Sequence, residues 1–361
     1  MAEIVIESPT RRSSQHEVLG ALRVTFGPWL VSRVLSVVVF MAALPTKPDM
    51  SRFTQLVLAY DGGFYFFIAD NGYGSLDAFQ PRWAFFPGLA LVVRAVDALI
   101  DPEIGLFVVN QLAFLVALAG VYVLARRHSS PRAALLAVWA LALFPAAFVF
   151  SLSYPSSLFL AATVWAFILV EDHHDIGAGL LAAAATLLRP NGFVVVIALA
   201  VAAYSVRRIA VICVPAIIAF AGWCLYCYDQ TGDAFAFLTA KSGWKEITAF
   251  GLFSAPGNGS ALPHALLALG ALAVIVIRRA HLPRSWLVFS FLYLVPSFAL
   301  GIVGLGRYAN ECFPAFVAAG QVLAGPIFGA PRPRLAVAAI AVSAGGLAIM
   351  AIAVADHGLV P

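Results

Sequence analysis

Five polar segments of this sequence carry the residue types that can move a group off a phosphate. Each contributes one charged side chain: Asp61, Arg82, Arg189, Lys241 and Arg307. A carboxylate such as Asp61 accepts the proton of an attacking hydroxyl, which is general-base catalysis. Cations stabilise the charge that gathers on a departing phosphate, and the planar guanidinium of arginine grips phosphate oxygens in pairs.

Each of these segments also has a simpler structural interpretation. The Asp61-Gly62 pair is a common turn signal. Residues 189–192 (RPNG) suit a tight turn between two helices. Arg307 suits a cation that reaches from a helix end to the membrane surface. The functional interpretation therefore depends on whether the five segments come together.

The elements that must position these residues are membrane helices. Of the 361 residues, 62% are hydrophobic and only 11% are charged, whereas a soluble globular domain has about 25% charged residues. A chain of this size cannot hide so much apolar surface from water. The composition predicts an all-α polytopic membrane protein, and it gives no sign of a nucleic-acid partner.

Apolar runs near the length of about 20 residues that crosses a bilayer predict about eleven spans. These spans are 29–44, 104–125, 133–150, 154–170, 176–188, 192–206, 209–227, 261–277, 285–303, 312–328 and 335–355. Residues 84–100 are interrupted by Arg94 and Asp97, so we expect a helix at the membrane surface there. The transmembrane domain then covers 27–355, with a first outer loop at 45–103. Short tails at 1–26 and 356–361 flank the domain.

The distribution of basic residues predicts which side of the membrane each loop faces, because cytoplasmic loops are rich in Lys and Arg. A cytoplasmic N-terminus puts 14 of the 22 basic residues inside, namely Arg11, Arg12, Arg23, Arg33, Arg126, Arg127, Arg132, Arg207, Arg208, Arg278, Arg279, Arg284, Arg332 and Arg334. Only the inside loop 171–175 lacks an arginine. This topology, in a cell (plasma) membrane, places all five charged segments on the outer face.

The kind of donor follows from a motif that the sequence lacks. No glycine-rich cradle for a nucleotide phosphate is visible, so a lipid-linked phosphate donor is more plausible than a soluble nucleotide sugar. We expect no cofactor and no metal. Carboxylates that would suit a divalent cation are Asp70, Asp77, Asp229 and Asp233. The His173-His174 pair lies in a predicted cytoplasmic loop.

Several motifs resemble the PIG-V family, which comprises the second GPI mannosyltransferase and its bacterial relatives. Residues 60–73 (YDGGFYFFIADNGY) resemble its W-D-G-x-W-Y-x-x-I-A-x-x-G-Y signature. In order along the chain, 85–87 (FFP), 188–192 (LRPNG), 231–233 (TGD) followed by Trp244, and 307–308 (RY) resemble four further elements. The matches cover most of the chain, and five in order are fairly specific.

The resemblance implies a GT-C fold, which is a multispan glycosyltransferase whose active site lies on the non-cytoplasmic side. It implies an inverting mannosyltransferase with a polyprenyl- or dolichyl-phosphate mannose donor. Asp61 takes the position of the catalytic aspartate. The donor phosphate would contact Arg82, Arg189, Lys241, Arg307 and Tyr308, and the substrate pocket would include Tyr60, Tyr65, Asn191 and Trp244.

The sequence departs from the family pattern at points that affect the substrates. Residues 153–157 (SYPSS) lack the acidic residue of a Y-[ST]-E-S element, and Lys241 stands where glutamine is expected. The acceptor therefore stays open between a glycolipid, a glycan and a protein hydroxyl. Two other functions also stay open: a flippase or transporter of lipid-linked sugars, and a noncatalytic subunit of another glycosyltransferase. A transporter typically shows inverted repeats, and none is visible here.

Overall fold

The protein is almost entirely helical. Its structure is a computed structural model that describes residues 10–43, 54, 57–74, 77–242, 261–300, 304–327, 330–331 and 333–355. The α-helices are α1 (Thr10–Ala43), α2 (Asp61–Asn71), α3 (Gly88–Val96), α4 (Pro102–His128), α5 (Pro131–Ala142), α6 (Ser156–Glu171), α7 (Asp175–Leu188), α8 (Phe193–Ala203), α9 (Val206–Thr231), α10 (Ala236–Lys241), α11 (Leu262–Arg278), α12 (Arg284–Leu300), α13 (Leu305–Glu311), α14 (Phe313–Ala324) and α15 (Pro333–Ala355). Short 3₁₀ turns occupy Pro81–Ala84, Ala147–Ser151, Pro190–Gly192 and Arg279–His281. One antiparallel pairing joins β1 (Pro326–Ile327) to β2 (Ala330–Pro331).

The long apolar helices make this a multi-pass membrane protein. Five segments of the described chain are long and apolar enough to cross a bilayer: His16–Ala43, Pro102–His128, Val206–Thr231, Leu262–His281 and Pro333–Ala355. Shorter apolar helices cover Pro131–Ala142, Ser156–Glu171, Asp175–Leu188, Pro190–Ala203, Arg284–Ala299 and Phe313–Ala324. Each predicted span therefore overlaps an apolar helix of the described chain, but only five of these helices are long enough to cross a bilayer by themselves. The short ones depend on their neighbours for shielding, since a span needs about 20 residues.

The first helix differs from the sequence-based expectation. It begins at Thr10, well before the predicted start at residue 29, and runs for 34 residues. Arg33 consequently falls inside the bundle and is 5% exposed, although the charge count places it on the cytoplasmic side. Its guanidinium donates to the Ser151 hydroxyl at 2.7 Å and to the Ala147 carbonyl at 3.0 Å. Arg33 thus stabilises the 3₁₀ turn that precedes Tyr154.

The apolar stretch at 84–100 does not form a spanning helix. Its helix, α3, has nine residues and is about 14 Å long at 1.5 Å per residue. That length is about half of the hydrocarbon core of a bilayer. The buried residues Leu89, Ala90 and Val93 lie on one side of α3, which packs against α2, α4 and α7. The short helix thereby supports the segment that carries Asp61.

The bundle has two ends of different chemistry, joined by α6. That helix begins at Ser156 and ends at Glu171. At the Glu171 end, Arg127 pairs with Asp172 at 2.8 Å and Arg208 pairs with Asp175 at 2.7 Å. The loop at 171–175, which lacks an arginine of its own, therefore takes its counter-charges from α4 and α9. The Ser156 end holds the candidate site.

Candidate active site

Asp61 lies at the start of α2, where a carboxylate interacts favourably with the positive end of the helix dipole. Its backbone N–H donates to the Tyr154 hydroxyl at 3.3 Å. This contact requires a small residue next in the chain, because a Cβ at Gly62 would lie 3.0 Å from the Val57 carbonyl and 3.3 Å from Ser153. Residues 57–62 and the SYPSS segment are therefore in close contact.

Arg307 reaches Asp61 from the opposite end of the sequence. Its Nη1 lies 2.8 Å from Asp61 Oδ2. The Arg307 side chain is 16% exposed and the Asp61 side chain is 29% exposed, so the pair is open to a substrate on one side. Burial on its own lowers the pKa of Arg307, but Asp61, Tyr308 and Tyr154 raise it by more, so the guanidinium stays charged. The pair combines a partly exposed carboxylate with a cation at hydrogen-bond distance.

A second ion pair lies behind the first and is sealed from solvent. Arg189 Nη2 lies 2.9 Å from Glu311 Oε1, with side-chain exposures of 7% and 0%. The same Nη2 donates to the Ser156 hydroxyl at 2.9 Å, and the Tyr293 hydroxyl donates to the other oxygen of Glu311. A buried charge is expensive unless it is paired and hydrogen-bonded. These contacts pair both charges, although Arg189 Nε and Glu311 Oε1 have no hydrogen-bond partner among the described residues.

Two tyrosines connect the ion pairs. The ring of Tyr308 lies 5.6 Å from the guanidinium carbon of Arg189 and 5.7 Å from that of Arg307. Tyr65 is 5% exposed and packs edge-on against Phe85. Burial raises the pKa of the Tyr65 hydroxyl, so this hydroxyl remains protonated beside the charged groups. Tyr308 thus contacts both guanidinium groups and Tyr65 is buried near them, while their contacts with a substrate stay a prediction.

Arg82 and Lys241 lie in a neighbouring region, on two elements that pack on each other. The guanidinium of Arg82 lies 4.6 Å above the ring of Phe67, which is six residues and about 9 Å beyond Asp61 along α2. Lys241 ends α10, is exposed, and belongs to a helix that packs on the Pro81–Ala84 turn. Of the five predicted charges, Asp61, Arg189 and Arg307 therefore form the core of the site, whereas Arg82 and Lys241 lie beside it.

The remaining predicted pocket residues have different positions. Tyr60 has a positive φ of 56°, and its hydroxyl donates to the Val354 carbonyl at 3.4 Å. Asn191 is half-buried in the Pro190–Gly192 turn. Trp244 lies outside the described residues. Within the described part of the chain, no three His, Cys, Asp or Glu side chains gather as metal ligands.

Three site residues were not identified from the sequence: Glu311, Tyr154 and Tyr293. Glu311 pairs with Arg189, which also donates to the Ser156 hydroxyl. Ser156 lies in the SYPSS segment, which lacks the acidic residue of the family motif, so Glu311 brings a carboxylate close to that segment. A signal for it was present, because Glu311 follows Arg307 by four residues and such residues share a helix face. An ionisable residue among apolar spans is also a site candidate in its own right.

Part of the sequence matches a known enzyme family. Residues 80–228, fewer than half of the chain, match the family model described as dolichyl-phosphate-mannose-protein mannosyltransferase. The match supports the broader expectation from the sequence, a membrane glycosyltransferase of the GT-C superfamily. The matched stretch includes Arg82, Tyr154 and Arg189. No curated protein sequence matches the chain.

Solved structures of the oligosaccharyltransferase from Archaeoglobus fulgidus are similar to this chain. Its complex with Zn and sulfate has a TM-score of 0.49 and 13% identity over 92% of this chain and 53% of that chain. The AglB complex with an inhibitory peptide and a dolichol-phosphate has a TM-score of 0.45 and 13% identity over 93% and 56%. The chain therefore spans about half of the length of these structures.

Proposed function

We propose that the chain is an inverting mannosyltransferase of the GT-C class and a bacterial relative of the PIG-V family. It transfers mannose from a polyprenyl- or dolichyl-phosphate donor to an acceptor hydroxyl on a glycolipid, a glycan or a protein. The reaction takes place at the outer face of the plasma membrane. The observation that carries the proposal is the half-open Asp61–Arg307 pair in a chain that matches a mannosyltransferase family model.

The chemistry uses Asp61 as the general base. Its carboxylate takes the proton of the acceptor hydroxyl, and the acceptor oxygen attacks the anomeric carbon of the sugar. The bond from that carbon to the phosphate oxygen breaks, and the polyprenyl phosphate leaves with the electron pair. Because attack and departure occur on opposite faces, the configuration at the anomeric carbon inverts.

The donor phosphate binds beside Arg82, a cation that no described carboxylate neutralises. Arg307 and Arg189 each face a carboxylate, so neither pair adds net charge to the site. Among the described residues, no carboxylate is ion-paired with Arg82, which is half-buried above Phe67. We assign the phosphate to Arg82 and Lys241, with Arg307 at its edge facing the reacting carbon. Arg189 is too buried for direct contact and belongs to the support of the site.

The experiment supplies the purified protein with synthetic polyprenyl-phosphate mannose, octyl mannoside and a crude envelope glycolipid fraction. Mass spectrometry then follows free polyprenyl phosphate and covalently mannosylated product. We expect both products from the lipid donor and none from a soluble nucleotide sugar.

Two results would contradict the proposal. One is passage of the lipid donor across sealed vesicles without any covalent product, which is flippase behaviour. The other is product formation only after a second glycosyltransferase is added, which would make the chain a noncatalytic subunit.

A further inference from the structure

The buried carboxylate Glu311 has no direct part in the proposed chemistry. It ends the seven-residue helix α13 and is 0% exposed. One carboxylate oxygen lies against Arg189, and the other accepts from the Tyr293 hydroxyl. Removing one partner of such a buried pair leaves an uncompensated charge in the interior. The arrangement therefore holds Glu311 in one position.

The helix that Glu311 ends also carries the cation of the open pair. Arg307 and Glu311 are four residues apart on α13, which places them on the same helix face. Arg307 reaches Asp61 at 2.8 Å, while Glu311 reaches Arg189 at 2.9 Å. Between them, Tyr308 lies against both guanidinium groups. The short helix is thus anchored at one end to α2 and at the other to the turn before α8.

Such a short helix depends on these anchors for its position. Seven residues make about two turns, roughly 10 Å of helix, and isolated helices of this length are unstable. Apart from its packing, α13 is held in the described structure by the contacts of Arg307, Glu311 and Asn310, whose amide donates to the Ala146 carbonyl at 3.1 Å. Loss of the Glu311 anchor leaves the end of the helix nearest to Arg189 held only by its packing, by the Asn310 contact and by its link through Cys312 to α14.

We infer that Glu311 is a positioning residue, which through α13 fixes Arg307 and thereby the orientation of the Asp61 carboxylate. The inference rests on the proposed function, because it assigns Glu311 a part in the same transfer reaction. A displacement of about 1 Å in a reacting group lowers a rate by about 100-fold. The expected loss therefore appears in kcat, since Arg307 and Asp61 act on the transition state. The KM for the donor should stay within about threefold of the wild-type value, because we assign donor binding to Arg82 and Lys241.

The test compares four variants with the wild-type protein in the lipid-donor assay. Glu311→Gln removes the charge at constant size, and Glu311→Asp keeps the charge on a shorter side chain. Tyr293→Phe removes only the hydrogen bond to Glu311. The matched control is Glu171→Gln, at the other end of α6, where Glu171 is 25% exposed and contacts His128. Turnover is expressed per folded molecule, with the folded fraction taken from size-exclusion chromatography.

We expect kcat to fall about 100-fold in Glu311→Gln and about tenfold in Tyr293→Phe. Glu311→Asp should recover much of the loss, and Glu171→Gln should match the wild type. If Glu311→Gln yields no folded protein, the kcat of Tyr293→Phe decides whether the inference holds. Wild-type kcat per folded molecule in Glu311→Gln or Tyr293→Phe would overturn the inference. A wild-type protein that transfers no sugar would instead overturn the proposed function.

Discussion

Two ion pairs with the same chemical partners stand side by side in this bundle, and they differ in exposure. In the Asp61–Arg307 pair, the carboxylate is 29% exposed and the guanidinium 16%. In the Glu311–Arg189 pair, the corresponding values are 0% and 7%. The first pair joins a helix start to α13 and is partly exposed. The second is enclosed by Ser156, Tyr293 and Tyr308.

Under the proposed function, the difference in exposure separates a reacting carboxylate from a supporting one. A general base must come within hydrogen-bond distance of a substrate proton, and only Asp61 has an open side. A sealed carboxylate has no access to a substrate, but losing it leaves a buried cation without a partner. Asp61 should therefore matter for rate and little for stability, whereas Glu311 should matter for stability and act on rate only through position.

The largest effect that we expect is on stability. Glu311→Gln should lower the free energy of unfolding by about 3–5 kcal/mol, because Arg189 stays buried without its counter-charge. Glu171→Gln removes a carboxylate from a partly exposed group of charges and should cost at most about 1 kcal/mol. Denaturation of both variants in detergent measures the contrast. Equal losses would mean that burial does not distinguish these pairs.

Arg307→Gln should lower the rate of sugar transfer by about 100-fold, which corresponds to roughly 2.7 kcal/mol of transition-state stabilisation. The variant leaves Asp61 in place but removes the cation that fixes it. Because both side chains are partly exposed, the free energy of unfolding should change by about 1 kcal/mol or less. Arg127→Gln, at the opposite end of the bundle, serves as the control and should transfer at the wild-type rate. A large loss of stability in Arg307→Gln would contradict the expectation that only the Glu311–Arg189 pair contributes strongly to the free energy of unfolding.

Gly192→Ala should disturb the Glu311–Arg189 pair by moving the backbone turn that carries Arg189. A Cβ at this position would lie 2.3 Å from the Ala185 carbonyl oxygen, so the turn that presents Arg189 must move. Overpacking of this kind costs about 1–3 kcal/mol, and thermal denaturation measures it. Gly270→Ala is the matched control, since a Cβ there meets nothing within 4 Å. Unchanged stability in Gly192→Ala would show that the turn yields without strain.

Arg82→Gln should have the smallest effect and should separate binding from chemistry. We expect the KM for the lipid donor to rise about tenfold, or roughly 1.4 kcal/mol, with kcat within about twofold. Loss of a cation that contacts the phosphate in both ground and transition states weakens binding alone. Steady-state kinetics over a range of donor concentrations gives both constants. A fall in kcat with unchanged KM would show instead that Arg82 acts on the transition state.

Much of this arrangement could be predicted from residue types and membrane sidedness. Asp61, Arg189 and Arg307 stand at breaks between apolar runs that the charge pattern puts on one face, and the structure brings these three together. Glu311 could have been found from its spacing to Arg307, but a single glutamate between apolar runs carries no motif. Its partner Arg189 is more than a hundred residues away in the sequence.

Other features depend on packing that no local pattern encodes. Arg82 and Lys241 share the predicted face, yet they lie on a turn and a short helix beside the core of the site. Arg33 has the sequence context of a cytoplasmic arginine, but the early start of α1 carries it into the bundle. Two of the hydrogen bonds that it donates go to a turn more than a hundred residues further along the chain.

The most direct test of the account is the single-turnover rate of sugar transfer in Asp61→Asn, measured beside its melting temperature. Removing a general base lowers a rate by about 10²–10⁴-fold, and we expect folding to stay intact because the side chain is partly exposed. Asp70→Asn is the control on the same helix, where Asp70 is exposed and contacts only Asn71 among the hydrogen bonds of the described residues.

We predict that Asp61→Asn loses at least about 100-fold in rate at an unchanged melting temperature, while Asp70→Asn keeps the wild-type rate. Transfer at the wild-type rate by correctly folded Asp61→Asn would contradict the central claim.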